Sequence, residues 1–275
     1  MHLASQAPTV GIVIPAYNEE DTIRACVLAA LDQTVPADEI IVVDNKSTDM
    51  TAEILRELAE EFPHAPLIVL QQNEAQGITP ARNMGFDAVT SDVIGRIDSD
   101  SVLEPNWVEE TKKVFLDEDV HAATGPVIYY DMPLRRYMAR ADDSARRAIS
   151  KLVKQYQFLF GTNMALRRHV WETVRSEICL DADREMFEDI DLSVHIVDEG
   201  FKIVYAPTMV AGMSSRRADD SPSDFLAYVR RFDKTYDHHG LTQASLRIPQ
   251  WAYLGIYPVA KSLRWTMQLR ESLKR

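Results

Sequence analysis

The sequence predicts an α/β fold built on a mainly parallel sheet with helices on its faces. Short apolar runs rich in β-branched residues alternate with segments of helical periodicity through the first 116 residues, and such alternation builds parallel sheets. The chain has 275 residues, of which 46% are hydrophobic and 26% are charged, as in ordinary globular proteins. This length suits one large α/β domain or two smaller ones.

Four strand–helix pairs account for the first part of the chain. The predicted strands are 10–15, 39–44, 67–70 and 93–98, and the helices that follow them are 20–33, 51–61, 80–89 and 105–116. The first strand is an apolar β-branched run that ends at Pro15. In the helix after it, Ile23, Val27 and Leu31 recur at helical spacing.

The regular alternation stops near Asp117. Beyond it we predict strands at 121–130, 158–166 and 201–206, and helices at 188–198, 224–236 and 247–275. Gly161-Thr162-Asn163 interrupts the second of these strands, and 133–154 is an Arg-rich segment that is helical or mobile. We expect Pro258 to kink or break the last helix, because proline lacks the backbone N–H of a helical hydrogen bond.

Three polar clusters follow predicted strands directly. They are Tyr17-Asn18-Glu19, Asp44-Asn45-Lys46-Ser47 and Asp98-Ser99-Asp100. Ligands of parallel α/β sheets bind beyond the carboxyl ends of the strands. These clusters are therefore the first candidates for a binding site.

Asp98 and Asp100 form the clearest candidate metal site. Carboxylates two residues apart after a strand can point at a common position, and oxygen ligands suit Mg²⁺ or Mn²⁺. Such an ion would neutralise a departing diphosphate as a Lewis acid. The alternative is an ordinary solvated turn, because acidic pairs are common in loops.

The other strand-end residues fit a binding role or a structural one. Asp44 suits hydrogen bonding to a nucleotide base or ribose, or it shapes the turn before the next helix. Asn18 and Glu19 face the same choice. Arg82 suits a diphosphate, a strand-end carboxylate such as Asp98, or the solvated surface.

The net charge of −12 argues against a nucleic-acid-binding protein. The segment 241–275 is nevertheless basic, with six basic residues and one acidic residue. Its aromatic and aliphatic residues interleave with Lys261, Arg264 and Arg270, which is typical of an amphipathic helix at an anionic membrane surface. A helix packed on the domain, or on a second copy of the chain in a homodimer, explains the pattern equally well.

The two cysteines, Cys26 and Cys179, are isolated, which indicates reduced thiols of a cytoplasmic protein. The N-terminus lacks the basic and apolar regions of a signal peptide. The longest nearly uncharged apolar stretch, Trp251 to Ala260, is shorter than the roughly 20 residues that span a bilayer. We therefore expect a cytoplasmic location, extending to the inner face of the plasma membrane if the last helix binds lipid.

Six motifs together resemble family 2 inverting glycosyltransferases, in that family's order and spacing. They are VGIVIPAYNEEDTI, IIVVDNKSTDMT, GITPARNMGFDAV, IGRIDSDS, GTNMALRR and FEDIDLSVHIVDEGFKIVYAP, within residues 9–207. The resemblance implies a GT-A fold with Mn²⁺ or Mg²⁺ as cofactor. It also implies a nucleotide-sugar donor, with UDP favoured and GDP open, and a hydroxyl acceptor that is lipid-linked, a polysaccharide or a small molecule.

We divide the chain accordingly into three regions. Residues 8–116 would be the nucleotide-sugar-binding half, residues 117–240 the acceptor-binding and catalytic half of the same domain, and residues 241–275 a basic amphipathic helical extension.

The resemblance also assigns residues to the donor site. They are Pro15, Ala16, Tyr17, Glu19, Asp44, Asn45, Arg82, Asp98, Ser99, Gly161, Thr162 and Asn163. Asp44 would contact the base, Arg82 the diphosphate end, and Asp98 the sugar and ribose. Asp100 would be the main metal ligand.

The pair Glu188-Asp189 heads the predicted helix 188–198. The resemblance implies that both residues of this pair belong to the catalytic site and that Asp189 is the base that takes the proton from the attacking acceptor hydroxyl. Direct displacement would then invert the anomeric centre. The alternative is a structural role, because carboxylates in a first helical turn are favoured by the helix dipole.

The chain departs from the family near Met213, where many members carry a histidine metal ligand. His238-His239 could supply a ligand from later in the chain, although adjacent histidines at a helix end are more often capping or surface residues. Arg216 and Arg217 could instead hold the diphosphate.

Two other functions stay open. A metal-dependent phosphatase or phosphotransferase could use the acidic pair, but it would need a nucleophilic aspartate after the first strand, where this chain has Pro15-Ala16-Tyr17-Asn18. A nucleotide-sugar-binding protein without catalysis is the second. The joint presence of Asp98, Asp100 and Asp189 speaks against it.

Overall fold

The structure is a computed structural model that describes residues 7–132, 140, 142–144, 146–148, 157–181 and 185–272. Most of the predicted Arg-rich segment 133–154 therefore lies outside the described residues. The last three residues of the basic segment 241–275 lie outside them as well.

The described residues form ten strands in two sheets. The strands are β1 (Val10–Ala16), β2 (Glu39–Asp44), β3 (Leu67–Gln71), β4 (Val93–Arg96), β5 (Val102–Leu103), β6 (Ala122–Thr124), β7 (Val127–Tyr129), β8 (Met164–Arg167), β9 (Ile203–Tyr205) and β10 (Ala211–Met213). The larger sheet has the order β3-β2-β1-β4-β8-β6-β9, and the smaller sheet has the order β5-β10-β7.

Helices connect and cover these strands. They are α1 (Ile23–Leu31), α2 (Thr51–Glu61), α3 (Ile78–Ala88), α4 (Trp107–Val114), α5 (Arg168–Val174), α6 (Glu188–Asp198), α7 (Pro222–His238) and α8 (Ile248–Ser272), with the short 3-10 helices η1 (Arg216–Asp219) and η2 (Ala244–Arg247). Within the described ranges, no helix has the length and apolar character that crossing a membrane requires.

Strands β3, β2, β1 and β4 are parallel neighbours. Strand β8 runs antiparallel to β4 and to β6, and β9 returns parallel to β6. The predicted α/β fold with a mainly parallel sheet is thereby confirmed. In the register, Ala16 pairs with Asp44 and Val13 pairs with Arg96, so the carboxyl ends of β1, β2 and β4 share one edge.

The two faces of the larger sheet bury separate apolar clusters. One cluster contains Ile12 of β1 and Val27 of α1. The other contains Val13 of β1, Phe86 of α3 and Trp171 of α5. Successive residues of a strand point to opposite faces, so the continuous apolar run of β1 follows from helices covering both faces.

A third apolar cluster joins α6, α7 and α8. Ile190 and Val194 of α6 pack with Phe232 of α7, and Tyr257 of α8 packs against them. This cluster fixes the helix that begins with Glu188-Asp189. It also packs one face of the last helix, α8, against α6 and α7.

The second part of the chain differs from the prediction in its strands. Residues 121–130 form two strands, β6 and β7, which belong to different sheets. They separate at Gly125, where an added Cβ would lie 1.8 Å from the carbonyl oxygen of Met209. Of the predicted strand 158–166 only the last residues belong to β8. Helix α5 and strand β10 were not predicted, since segments of three to seven residues show no clear periodicity.

Helix α8 continues through Pro258 without a break. Proline removes the N–H that would bond the carbonyl oxygen of Leu254, four residues earlier. Leu254 is 40% exposed and Pro258 is exposed as well, so this part of the helix borders solvent. Of the two expected outcomes at Pro258, a kink or a break, the break is absent.

Candidate active site

The loops after β1 and β2 are tied together at the shared sheet edge. The backbone N–H of Asn18 donates to Ser47 Oγ at 3.0 Å, and Asn18 Oδ1 accepts from Thr48 N–H at 2.8 Å. Asn18 and Lys46 both have positive φ, 52° and 61°, as such tight loops require. Asn18 therefore shapes this edge of the site.

Of the predicted nucleotide-pocket residues, Pro15 and Ala16 are buried at the end of β1, while Tyr17 is 45% exposed. Asp44 is buried and accepts the N–H of Ser47 at 3.1 Å. It therefore shapes its turn, which is one of the two roles proposed for it.

Asn45 is a loop anchor. Its side chain donates to the carbonyl oxygens of Gln72 and Ala75 at 3.0 and 2.8 Å and accepts the N–H of Gly77 at 2.7 Å. These three bonds occupy the amide, and they hold the loop that leads into α3. The structure thus gives Asn45 a supporting position rather than a free polar group.

Asp98 and Asp100 lie in the turn after β4. Asp98 is held on both oxygens: Oδ1 lies 2.8 Å from Arg96 Nη2, and Oδ2 accepts the hydroxyl of Thr162 at 2.8 Å. Ser99 is buried between the two acids. Asp100 is 6% exposed, and burial together with the charge of Asp98 raises its pKa to about 6.

Arg216 joins two of the predicted site carboxylates. Its Nε lies 3.0 Å from Asp100 Oδ2, and its two terminal nitrogens donate to the carboxylate of Glu19 at 2.9 and 2.6 Å. The side chain is nevertheless half exposed. A guanidinium thus balances the charge of Asp100, the residue predicted as main metal ligand. Arg217 lies apart from this contact, since it pairs with Asp220 at 3.1 Å.

Helix α8 holds the turn that carries Arg216. Arg264 contacts Asp131 at 2.6 Å and Asp219 at 2.5 Å, and it donates to Ser215 Oγ at 2.8 Å. Lys261 donates to the carbonyl oxygen of Asp220 at 2.5 Å. Together with Arg247, which lies 3.3 Å from Asp233, three basic residues of the C-terminal segment are therefore engaged within the molecule.

A buried ionic network lies behind the acidic turn. Arg82 is fully buried and pairs with the carboxylate of Glu188, and it donates to the backbone oxygen of Glu188 at 2.9 Å. Arg96, also buried, lies 3.2 Å from the other Glu188 oxygen and 2.8 Å from Asp98. Of the proposed partners for Arg82, the structure selects a carboxylate, but it is Glu188 rather than Asp98.

Asp189 lies at the start of α6, next to this network. Its Oδ2 accepts the N–H of Gly161 at 2.8 Å and its Oδ1 accepts the N–H of Ile190 at 2.9 Å. Burial and the charge of Glu188 raise the pKa of Asp189 to about 6, although the Gly161 bond opposes the shift. The carboxylate is thus a stronger base than an ordinary aspartate.

The turn Gly161-Thr162 bridges the acidic turn and the start of α6. Gly161 binds Asp189 through its N–H, and the adjacent Thr162 binds Asp98 through its hydroxyl. The structure therefore brings Asp98 and Asp189, which are far apart in sequence, to one site at the carboxyl edge of the sheet.

Asn163 and Trp107 support this site from inside. Asn163 is fully buried, accepts the indole N–H of Trp107 at 2.8 Å, and donates to the carbonyl oxygens of Pro126 and Met209. Trp107 is fully buried as well. The amide of Asn163 is thus engaged within the protein on both sides, and its contact with a donor sugar stays a prediction.

Arg96 is the site residue that sequence reasoning missed. It is the only charged residue of strand β4, and it is buried like the rest of that strand. A buried guanidinium needs a carboxylate partner, so its place in the VIGRID run was the available signal.

We expect Gly161→Ala to lower the free energy of unfolding by about 1–3 kcal/mol, the usual cost of overpacking. The added Cβ would lie 1.7 Å from Arg96 Nη1, and that guanidinium is held by the carboxylates of Glu188 and Asp98. Urea denaturation measures the change. Gly255→Ala in α8 is the control, because nothing lies within 4 Å of its added Cβ; an equal effect in both variants would contradict the packing argument.

Comparison with known proteins agrees with this architecture. The sequence model of glycosyl transferase family 2 matches residues 11–175, more than half of the chain. The matched region includes the acidic turn and Gly161-Thr162, and it ends before Asp189.

Curated relatives share the first part of the chain. The chain is 34% identical over 114 residues to the uncharacterized glycosyltransferase YibD of Escherichia coli (strain K12), which covers 42% of this chain and 32% of that protein. It is 33% identical over 109 residues to the glycosyltransferase AglE of Haloferax volcanii, which covers 39% and 35%. The matched region thus spans well under half of either relative.

Solved structures extend the similarity to nearly the whole fold. The mannosyltransferase PcManGT from Pyrobaculum calidifontis, in complex with GDP-Man and Mn²⁺, has a TM-score of 0.65 at 19% identity and covers 98% of this chain and 76% of that one. Glucosyl-3-phosphoglycerate synthase from Mycobacterium tuberculosis, in complex with Mg²⁺ and uridine diphosphate, has a TM-score of 0.57 at 22% identity, with coverages of 86% and 81%.

Structural similarity at these low sequence identities shows the fold alone, and it confirms the expected GT-A architecture. Family membership itself rests on the sequence match over residues 11–175. The chain belongs to glycosyl transferase family 2.

Proposed function

We propose that this chain transfers a sugar from a nucleoside diphosphate to an acceptor hydroxyl, with inversion and with the help of a divalent cation. One observation carries the proposal. The Gly161-Thr162 turn binds the candidate base Asp189 and the acidic-turn residue Asp98 at the same time. Such a displacement needs a base close to an acidic site that can bind a cation.

The acidic turn fits Mn²⁺ or Mg²⁺. Asp98 and Asp100 offer carboxylate oxygens, the ligands that these ions prefer, and Asp100 already balances a cation, the guanidinium of Arg216 at 3.0 Å. When bound, the ion would offset the charge of the diphosphate as it leaves. The related structures that contain GDP-Man and Mn²⁺, or Mg²⁺ and uridine diphosphate, support this assignment.

Asp189 is the proposed base. Its raised pKa makes it a better proton acceptor than an ordinary aspartate, and the N–H of Gly161 orients one of its oxygens. It would take the acceptor's proton as the hydroxyl attacks the anomeric carbon, and attack opposite the leaving group inverts that carbon. Glu188 keeps the neighbouring Arg82 and Arg96 paired and so acts as a positioning residue.

We propose that the donor nucleotide lies over the ends of β1 and β2, against Pro15, Ala16, Tyr17, Glu19 and Asp44. UDP is the favoured nucleotide, with GDP as the alternative. Arg216 would move from Glu19 and Asp100 to the diphosphate, since its side chain is half exposed. The division into a nucleotide half 8–116, an acceptor half 117–240 and an extension 241–275 is part of the same proposal.

The experiment measures release of the nucleoside diphosphate from a panel of UDP-, GDP- and TDP-sugars, with and without Mn²⁺ or Mg²⁺. We expect release with one donor class and only with a cation. Donor binding without release would favour the non-catalytic binding protein, and release of inorganic phosphate would favour phosphoryl chemistry.

The pH profile is a second prediction. The base must be deprotonated, and its raised pKa moves the loss of activity upward from the range of an ordinary aspartate. We expect kcat at saturating donor and cation to be constant above neutrality and to fall as pH drops through about 6. A profile that stays flat down to the usual aspartate range would contradict the role of Asp189.

Arg216→Gln should raise the Mn²⁺ affinity of the donor-free chain by about fivefold, about 1 kcal/mol for a half-exposed ion pair. The reason is that the guanidinium no longer competes for Asp100. Mn²⁺ titration followed by electron paramagnetic resonance measures this affinity without turnover. Arg217→Gln is the matched control, because Arg217 pairs with Asp220 instead; a gain in the control alone would refute the competition.

We also propose that the outward face of α8 contacts an anionic membrane or a second copy of the chain. Trp251, Ile256, Val259 and Trp265 are 71%, 59%, 59% and 61% exposed there. Flotation with anionic liposomes and sedimentation of the free chain distinguish the two partners, with Trp251→Ser/Trp265→Ser as the comparison. If the native protein and the double variant show equal liposome binding and equal sedimentation, this proposal is refuted. The proposed cytoplasmic location stands apart from this contact, and only its extension to the inner face of the plasma membrane depends on it.

A further inference from the structure

Three of the seven histidines gather around one buried carboxylate outside the proposed donor site. Asp191 lies two residues after the base Asp189 on α6 and is 1% exposed. Its Oδ1 lies 3.0 Å from His239 Nε2 and 3.6 Å from His195 Nε2. His238 completes the group at the last residue of α7.

The group has the spacing of a metal site. One ligand atom each from Asp191, His238 and His239 lies within 4.8 Å of the others. Bonds of about 2.0–2.1 Å in a tetrahedral site separate neighbouring ligands by about 3.3 Å, close to the 3.0 Å between Asp191 and His239. Small side-chain rotations would therefore bring three ligands onto one ion.

The second oxygen of Asp191 is already oriented by the protein. Its Oδ2 accepts the backbone N–H of Cys179 at 3.2 Å. Metal-binding carboxylates are commonly held by such outer hydrogen bonds, which fix the ligand before the ion arrives. The carboxylate thus presents Oδ1 toward the imidazoles.

We propose that Asp191, His238 and His239 bind a second divalent ion, with Zn²⁺ preferred. Two imidazoles and one carboxylate form a ligand set that suits Zn²⁺ better than Mg²⁺, which favours oxygen ligands throughout. Water or His195 supplies the fourth ligand. This site is separate from the acidic turn at Asp98 and Asp100, so the histidines are not the missing third ligand of the donor metal.

The ion would tie the helix that carries the base to the end of α7. Helices α6 and α7 already pack through Ile190, Val194 and Phe232. A metal bridge at Asp191 adds a polar link two residues from Asp189, on a different side of the helix from the residue that binds Gly161. Its role is to hold α6 in place, not to take part in the transfer.

Co²⁺ is the probe that separates the two metal sites, because four-coordinate Co²⁺ with imidazole ligands absorbs strongly in the visible whereas an octahedral all-oxygen site does not. We expect one equivalent of Co²⁺ to give this band in the native chain and in Asp100→Asn, which lacks the main donor-site ligand. His238→Ala and His239→Gln should lose the band. His64→Ala, an exposed histidine outside the cluster, should keep it.

Equilibrium dialysis with Zn²⁺ supplies the second measurement. We expect the native chain to bind one more equivalent than His238→Ala, and Zn²⁺ to raise the Tm of the native chain but not of that variant. His238 is exposed, so its loss leaves the apolar core intact. Equal stoichiometry and equal Tm shifts in the two proteins would overturn the site. Nucleoside diphosphate release, lost in Asp100→Asn, tests the proposed transferase separately.

Discussion

Asp189→Asn should lower kcat by about 10²–10⁴-fold, the range that a positioned general base contributes. Asparagine has nearly the same shape, and its side-chain oxygen can still accept the N–H of Gly161, which now binds Asp189 at 2.8 Å. The fold and donor binding should therefore persist. What is lost is the group that takes the acceptor's proton.

The measurement is initial rate against donor concentration, with donor affinity determined separately by calorimetry. Unchanged affinity with a collapsed kcat supports the base, since only an interaction of the transition state has been removed. Asp119→Asn is the matched control, because Asp119 is an exposed loop aspartate. Full activity of Asp189→Asn would refute the assignment, and equal losses in both variants would point to a general effect of the substitution.

Glu188→Gln is expected to lower the free energy of unfolding by about 3–5 kcal/mol, the cost of removing one partner from a buried ion pair. Glu188 pairs with both Arg82 and Arg96, and neither guanidinium is exposed. The substitution leaves Arg82 without a carboxylate and Arg96 with Asp98 alone. Urea denaturation at neutral pH measures the loss.

A double-mutant cycle with Arg82→Met identifies the cause. If uncompensated buried charge explains the loss, the double variant should be less destabilised than the two single changes predict together, because both members of a pair are then absent. Strict additivity would contradict this explanation. Glu177→Gln provides the background, since Glu177 lies on the exposed surface after α5.

The strand ends could be predicted from the sequence because buried parallel strands appear in it as continuous apolar runs. The apolar runs at 10–15 and 39–44 match β1 and β2 closely, and the polar residues after them meet at one edge. The acidic turn was found in the same way. The pairing of Asp98 with Thr162 was not, because 64 residues separate them and no local pattern records such a contact.

The roles of single polar residues were harder to predict than their positions. Asn45 and Asn163 both fall beside the site, yet their amides bind backbone groups of distant loops and, for Asn163, the indole of Trp107. A sequence pattern predicts which helix, strand or loop a residue lies on. It does not predict whether the side chain binds a ligand or another part of the protein. Short strands such as β5 and β10 were missed for a related reason, since two or three residues have no period.

Helix α8 has two sides with different partners. Its inner side holds η1 through Arg264 and Lys261, and η1 carries Arg216 to Asp100. Its outer side exposes Trp251 and Trp265, the face proposed to contact a partner. If a cation binds at Asp100 as proposed, a partner that loosens or tightens the inner contacts would change how readily Arg216 leaves Asp100, and so would change cation affinity. Thermodynamic reciprocity then requires the cation to change that partner's affinity by the same factor.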